Sequence, residues 1–265
     1  MHASLKKRLL GILCIFSSLC ITLCINANAG SAMHWYCKRN SEHKQPQLDT
    51  ALSFIEQCNG VYVDKAHGDD DPEKVIYLTF DAGYENGNVA KTLDVLKNED
   101  VCGAFFILGN LIKRNPDLIM RMVDEGHLVC NHTNNHKDIT KLDKQDLLVE
   151  INSLEQAYTE LSGKPLDKYF RPPEGTFDQD SLSAVNECGY KTVFWSFAYA
   201  DWDNENQMSA QAAKKKIFDN LHNGEIMLLH PTSATNAEIL TDVIRELKAM
   251  GYRFGPLDEL FSDEA

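Results

Sequence analysis

Between about residues 75 and 254, short apolar runs rich in β-branched and aromatic side chains alternate with longer stretches whose apolar positions recur every three to four residues. The runs fall at 75–80, 104–108, 128–130, 169–170, 192–197, 226–229 and 252–254, which predicts seven strands. Helical period is clearest over 143–161, where Leu147, Ile151, Leu154, Tyr158 and Leu161 are spaced four, three, four and three apart. Asn115-Pro116-Asp117 reads as the opening of another helix that Gly126 ends, and Gly163-Lys164-Pro165 as the stop of the long one. Strand–helix alternation predicts an α/β fold with a parallel sheet and right-handed crossovers, wound open or closed as a barrel, and seven units favour closure.

The first 73 residues break this pattern. Lys6, Lys7 and Arg8 precede an uncharged apolar run over 9–25, then Ala27-Asn28-Ala29. This is the anatomy of a secretory signal peptide spanning 1–29, with an uncleaved signal anchor as the alternative. Either way the bulk of the chain is expected outside the cytoplasmic membrane, with membrane contact only if the segment is retained. Residues 30–73 are polar and weakly periodic, end in the acidic Gly68-Asp69-Asp70-Asp71-Pro72, and read as an N-terminal extension to a domain over 74–265.

Charge excludes one class of partner. The chain of 265 residues carries 39 Asp and Glu against 26 Lys and Arg, a net of −13. Loss of residues 1–29, with three basic and no acidic side chains, would make it −16. With no basic stripe interleaved with aromatics, nucleic acid is not an expected ligand. Outside the signal stand five cysteines, Cys37, Cys58, Cys102, Cys130 and Cys188, an odd number without metal-ligand spacing. Cys37 and Cys58 bracket part of the extension and are open to reading as a local bridge or as free thiols.

In parallel α/β folds the groups that do chemistry collect where strands end. The first predicted strand runs into Asp81, the third into His132 and His136, the fourth into Arg171, the fifth towards Asp201 and Trp202, and the sixth into His230. An Asp after a strand is often only a cap or turn residue. His132 and His136, however, are spaced i, i+4, so a helical turn would project both imidazoles from one face towards one divalent cation.

The stretches TFDAGYENG, HTNNH, RPPEG, ADW and LLHP, in this order over about residues 74–262, resemble the five motifs of the polysaccharide deacetylases, the NodB-like carbohydrate esterases. GYENG and the preceding extension are similar to the branch of delta-lactam-biosynthetic de-N-acetylases, which act on N-acetylmuramic acid in peptidoglycan, especially of the spore cortex. The resemblance implies a distorted seven-unit (β/α) barrel and hydrolysis of a sugar N-acetyl group, with peptidoglycan glycan strands as partner; the chain is expected to be a monomer. It implies Asp81 as general base, His230 as general acid, and Arg171 and Asp201 as the residues that orient them. His132 and His136 would hold a divalent cation, zinc by expectation, with Asp81 available as a further ligand. Tyr84, Glu174, Trp195 and Trp202 would shape the sugar groove. Three positions depart from the pattern: Ala82 stands where a second aspartate usually completes the metal triad, Glu174 replaces an aromatic, and Ala198 replaces an aspartate. Ala82 implies a weak or water-completed metal site. Two rival readings follow, a deacetylase of chitin oligomers or N-acetylglucosamine, and a glycan-binding pseudoenzyme.

Overall fold

The structure is a computed structural model that describes residues 31–264 except residue 41, with side chains to residue 261. The expected signal segment lies outside the described residues. Among those described, no helix is long and apolar enough to cross a membrane.

All seven expected strands form. In chain order the strands are β1 (Met33–His34), β2 (Gly60–Val61), β3 (Lys74–Ala82), β4 (Ala104–Ile107), β5 (Leu128–Asn131), β6 (Asp167–Phe170), β7 (Thr176–Phe177), β8 (Lys191–Val193), β9 (Glu225–Leu229) and β10 (Tyr252–Phe254). The helices are α1 (Phe54–Gln57), α2 (Val89–Asn98), α3 (Gly109–Arg114), α4 (Pro116–Asp124), α5 (Lys144–Ser162), α6 (Gln179–Glu187), α7 (Ala210–Asn220) and α8 (Ala234–Ala249). The main sheet is parallel throughout and runs β10-β3-β4-β5-β6-β8-β2, with β9 on the other edge of β3. A parallel bridge between Phe197 and Met227 ties the chain beyond β8 to β9, so the sheet curls into an incomplete barrel.

The helix ends follow the local chemistry. The Asp143 carboxylate accepts the Asp146 N–H and opens α5, and Gly163 closes it with a left-handed φ of 69°. Asp178 and Ser181 cap α6 reciprocally. The Ser233 hydroxyl accepts the Asn236 N–H at the start of α8.

Strand alternation sorts the core into two layers. On β3, Ile76, Leu78, Phe80 and Ala82 face the helices, in one cluster with Leu93, Leu96, Leu240 and Ile244. Val75 and Tyr77 face the barrel interior with Ala104, Phe106, Cys130, Val193 and Ile226. Continued to the carboxyl ends, the interior parity of β3, β5, β6 and β9 is that of Asp81, His132, Arg171 and His230. The pleat therefore brings residues distant in sequence to one mouth.

The extension, expected as a polar leader to the barrel, is part of its wall. The two residues of β2 pair with β8 at Thr192 and Val193, and the Asp64 N–H donates to the Gly224 carbonyl at 2.9 Å, just before β9. The segment thus occupies the seam between β8 and β9. Asp64 is buried and accepts from Tyr77 Oη at 2.6 Å, while Gln45 Nε2 donates to three carbonyls, of Asp64, His67 and Asn223. Cys37 and Cys58 are free thiols, which resolves that alternative. At the joint, Gly224 has φ +67°, and a Cβ there would lie 2.5 Å from the Asp64 carbonyl oxygen and 2.8 Å from that of His67. Gly224→Ala is therefore expected to lower folding stability by about 1–3 kcal/mol, measured by urea unfolding. A change below about 0.5 kcal/mol would mean that the seam relaxes freely.

Candidate active site

The interior faces of the strands meet in an open groove of about 780 Å³ lined by Asp81, His132, His136, Glu174, Trp195 and His230, with Tyr84 and Trp202 on it as well. Its base is Arg171, which has no exposed surface. The Arg171 guanidinium donates from Nη1 to Asp81 Oδ1 at 2.9 Å, from Nε to the Val193 carbonyl at 2.9 Å, and from Nη2 to Thr79 Oγ1 at 3.0 Å and the Phe194 carbonyl at 3.2 Å. Its carbon lies 4.1 Å from the centre of the Phe106 ring. Asp81 is nearly buried, which by itself favours the neutral acid, but the charge and hydrogen bond of Arg171, with the charge of His230, outweigh this and hold its carboxyl below the ordinary range. At neutral pH Asp81 is a carboxylate with Oδ1 on the guanidinium.

Asp81 Oδ2 lies 3.6 Å from His132 Nε2. His132 Nδ1 donates to the Arg171 carbonyl at 2.7 Å, which fixes the tautomer and leaves Nε2 with its lone pair. Burial pushes this imidazole down to about 4, so it is neutral at pH 7. Its ring centre is 5.1 Å from that of exposed His136.

The expected helical turn between these histidines does not form. Thr133 and His136 take left-handed φ values of 69° and 57°, and the loop is braced by its own side chains. The Thr133 N–H donates to Asn131 Oδ1 at 2.9 Å, the His136 N–H to Thr133 Oγ1 at 2.9 Å, and Asn135 bonds buried Glu150. Asn and Thr compete with helix by bonding nearby backbone, and here they win. The two rings still come together, edge to face at an interplanar angle of 69°.

His230 stands across the groove. Its Nδ1 donates to Asp201 Oδ1 at 2.7 Å and its backbone N–H to Asp201 Oδ2 at 2.8 Å, and Asn236 Nδ2 also donates to Oδ2 at 2.6 Å. Burial alone would lower His230, but the hydrogen bond and charge of Asp201, with the charge of Asp81, raise its pKa overall. The Trp202 ring sits edge-on, 6.3 Å from the His230 ring, and is 60% exposed. Tyr84, also exposed, accepts a hydrogen bond from Asn204 on its hydroxyl.

Glu174 is exposed, lines the groove, and takes a left-handed φ of 56° followed by Gly175 at 62°. Its backbone N–H donates to no acceptor among the described residues. Trp195 packs between the barrel interior and the extension. Ala82 and Ala198 take different places. Ala82 is fully buried in the helix-facing layer, whereas Ala198 lines the groove.

The structure thus brings together every site residue expected from the sequence. It adds Trp35, Leu108 and Tyr199 to the groove, none of which was anticipated. The signal for Trp35 was a lone tryptophan in a polar stretch.

The donor chemistry of a metal site is met in part. His132 presents a neutral Nε2 beside Asp81 and His136, but no group of three His, Cys, Asp or Glu among the described residues is arranged to hold an ion.

An Asp81–Arg171 ion pair and an Asp201-bonded His230 meet at the mouth of a parallel barrel, and the polysaccharide deacetylase family profile, that of a class of hydrolases, matches residues 68–193. The chain belongs to that family. It is 40% identical over 233 residues to the peptidoglycan-N-acetylmuramic acid deacetylase PdaA of Bacillus subtilis, covering 88% of this chain and 87% of that protein. The solved structure of PdaA, a family 4 carbohydrate esterase, superposes with a TM-score of 0.83 over 89% of this chain and 99% of that one. A family 4 carbohydrate esterase from Bacillus anthracis, 35% identical, gives 0.72 over 88% and 97%.

Arg171→Met leaves Asp81 as an uncompensated buried charge. It is expected to cost about 3–5 kcal/mol of stability in urea titration at pH 7. The added Asp81→Asn should recover part of that loss, and a double variant no better than the single would show that the pair does not anchor the barrel.

Proposed function

We propose that this protein hydrolyses the N-acetyl group of N-acetylmuramic acid in peptidoglycan strands, outside the cytoplasmic membrane and as a monomer, in the step before muramic δ-lactam formation during sporulation. The observation that carries the reading is a carboxylate ion-paired to Arg171 and, in the same groove, an imidazole bonded to Asp201, which raises its pKa. The first is the base and the second the acid that amide hydrolysis needs, and a binding module needs neither.

Asp81 takes a proton from a water in the groove, and the oxygen adds to the acetamide carbonyl carbon. Arg171 keeps the base ionised and aimed by its Nη1 hydrogen bond. The Glu174 N–H, free of protein acceptors, receives the oxyanion. His230, held through Nδ1 by Asp201, gives the proton on Nε2 to the sugar nitrogen. The C–N bond breaks, leaving acetate and a free amine. A divalent cation on His132 and His136, with Asp81 as a further donor, would supply Lewis-acid polarisation of the water. Trp202, Tyr84 and Trp195 offer apolar faces to the sugar rings. The freed amine of a muramyl residue lies beside its own lactyl carboxylate, so ring closure is an intramolecular step.

Acetate release from peptide-stripped peptidoglycan, compared with chitin oligomers and with added divalent metal, tests the reading. Release from the muramyl strands is expected, and preference for chitin would transfer it to N-acetylglucosamine. Asp81→Asn and His230→Ala should each lower turnover by about 10²–10⁴-fold with the fold intact. A variant that keeps most of its activity removes that residue from the mechanism.

The sign of the pH dependence follows from His230. The acid works only when protonated, so activity declines as pH rises through its elevated pKa. Asp201→Asn removes the hydrogen-bonded charge that raises it and should move the alkaline limb of kcat to lower pH. An unmoved limb would assign that limb to another group.

A further inference from the structure

One side of the groove rests on residues that precede the strand–helix repeat. β1 pairs antiparallel with β7, Met33 opposite Phe177 and His34 opposite Thr176. The Trp35 N–H donates to the Gly175 carbonyl at 2.7 Å, and its indole Nε1–H donates to the Trp195 carbonyl at 2.8 Å. Cys37 Sγ donates to the same Trp195 carbonyl at 3.2 Å, and Arg39 Nη2 donates to the Ala198 carbonyl. The Trp35 ring packs 4.7 Å from Phe194 and 5.4 Å from Tyr62, centre to centre. Residues 33–39 therefore hold both chain segments that carry Glu174, Trp195 and Ala198 into the groove.

The turn they hold is closed by two short-range bonds, from the Gly175 N–H to the Pro172 carbonyl at 3.0 Å and from the Thr176 N–H to the Pro173 carbonyl, but its backbone conformation is unfavourable on its own. Glu174 and Gly175 are both left-handed, a conformation a glutamate keeps only when its surroundings impose it. Gly175 is wedged: a Cβ there would lie 2.8 Å from the Trp195 ring and 3.0 Å from Trp35 Cβ. The same turn presents the unpaired Glu174 N–H.

We infer that residues 33–39 are a positioning strap for the deacetylation reaction, with Trp35 the positioning residue that locks the Glu174–Gly175 turn against Trp195 and so fixes the oxyanion side of the groove. This rests on the hydrolase reading above. Loss of an oxyanion donor lowers kcat by about 10²–10³-fold, so a donor that is merely loosened should cost less, about tenfold.

Trp35→Phe keeps a ring and removes the indole donor, and Trp35→Ala removes both. The control is Ile55→Ala, a fully buried residue of the extension core that does not line the groove. Acetate release is followed at a temperature where all variants are folded, with amide hydrogen exchange over residues 173–177. Trp35→Phe is expected to lower kcat about tenfold with KM within about twofold, Trp35→Ala further, and both to speed exchange in the turn. Ile55→Ala should lower the unfolding temperature and leave kcat and turn exchange unchanged. Wild-type kcat in both Trp35 variants overturns the strap. So does a fall in kcat that tracks stability alike in all three variants, or a turn whose exchange ignores Trp35. Absence of acetate from the wild-type protein on every glycan would instead defeat the hydrolase reading, and the exchange arm would then decide whether Trp35 locks the turn.

Discussion

A guanidinium with no exposed surface is tolerated only where acceptors meet its N–H groups and a carboxylate meets its charge, and Arg171 satisfies both conditions inside a barrel. Its four hydrogen bonds reach β3 and the β8 segment, and its own backbone ties to both its neighbours on the β5 side: the Arg171 N–H donates to Asn131 and its carbonyl accepts from His132. One side chain therefore joins strands that the curled sheet would otherwise hold only by their edges. The same contacts set the protonation of Asp81 and the tautomer of His132. Stability and chemistry share this residue, so the groove floor has little freedom to vary.

The opposite side is organised by a second carboxylate. Asp201 receives three hydrogen bonds and is almost wholly buried, which fixes His230 with one ring nitrogen engaged. The two halves of the site differ in sign as a result: a carboxylate braced by a cation faces an imidazole braced by a carboxylate. Between them lie the imidazoles of His132 and His136, the first neutral through burial.

Much of this could be read from the chain. The seven apolar runs are the strands β3 to β6 and β8 to β10, and the titratable groups after them converge because strand ends of interior parity share one mouth. Periodicity gave no sign of the extension's role, since β1 and β2 have two residues each, too short for an alternating pattern, and are defined by partners such as Thr176 and Thr192 far along the chain. The spacing of His132 and His136 correctly paired the rings but for the wrong local reason: side-chain bonds of Asn131 and Thr133 replace the helical turn. Ala82 shows the converse. The residue was conspicuous as a missing ligand, while the pleat turns it towards α2 and its neighbours, where an apolar side chain is what packing requires.

The seam has a kinetic side. Residues 33–64 are synthesised before the strands they lie between, and the Trp35 indole waits for a carbonyl 160 positions later. At ribosomal rates of about 5–20 residues per second that interval is roughly 10–30 s. Throughout it residues 33–64 lack the strands against which they will pack. Contacts of such sequence separation form late because the chain entropy of closing the loop must be met first. The wall of this barrel is thus completed by a segment made before the strands it joins, and the polar, weakly periodic character of that segment suits a piece of chain that must stay unpaired until they are made.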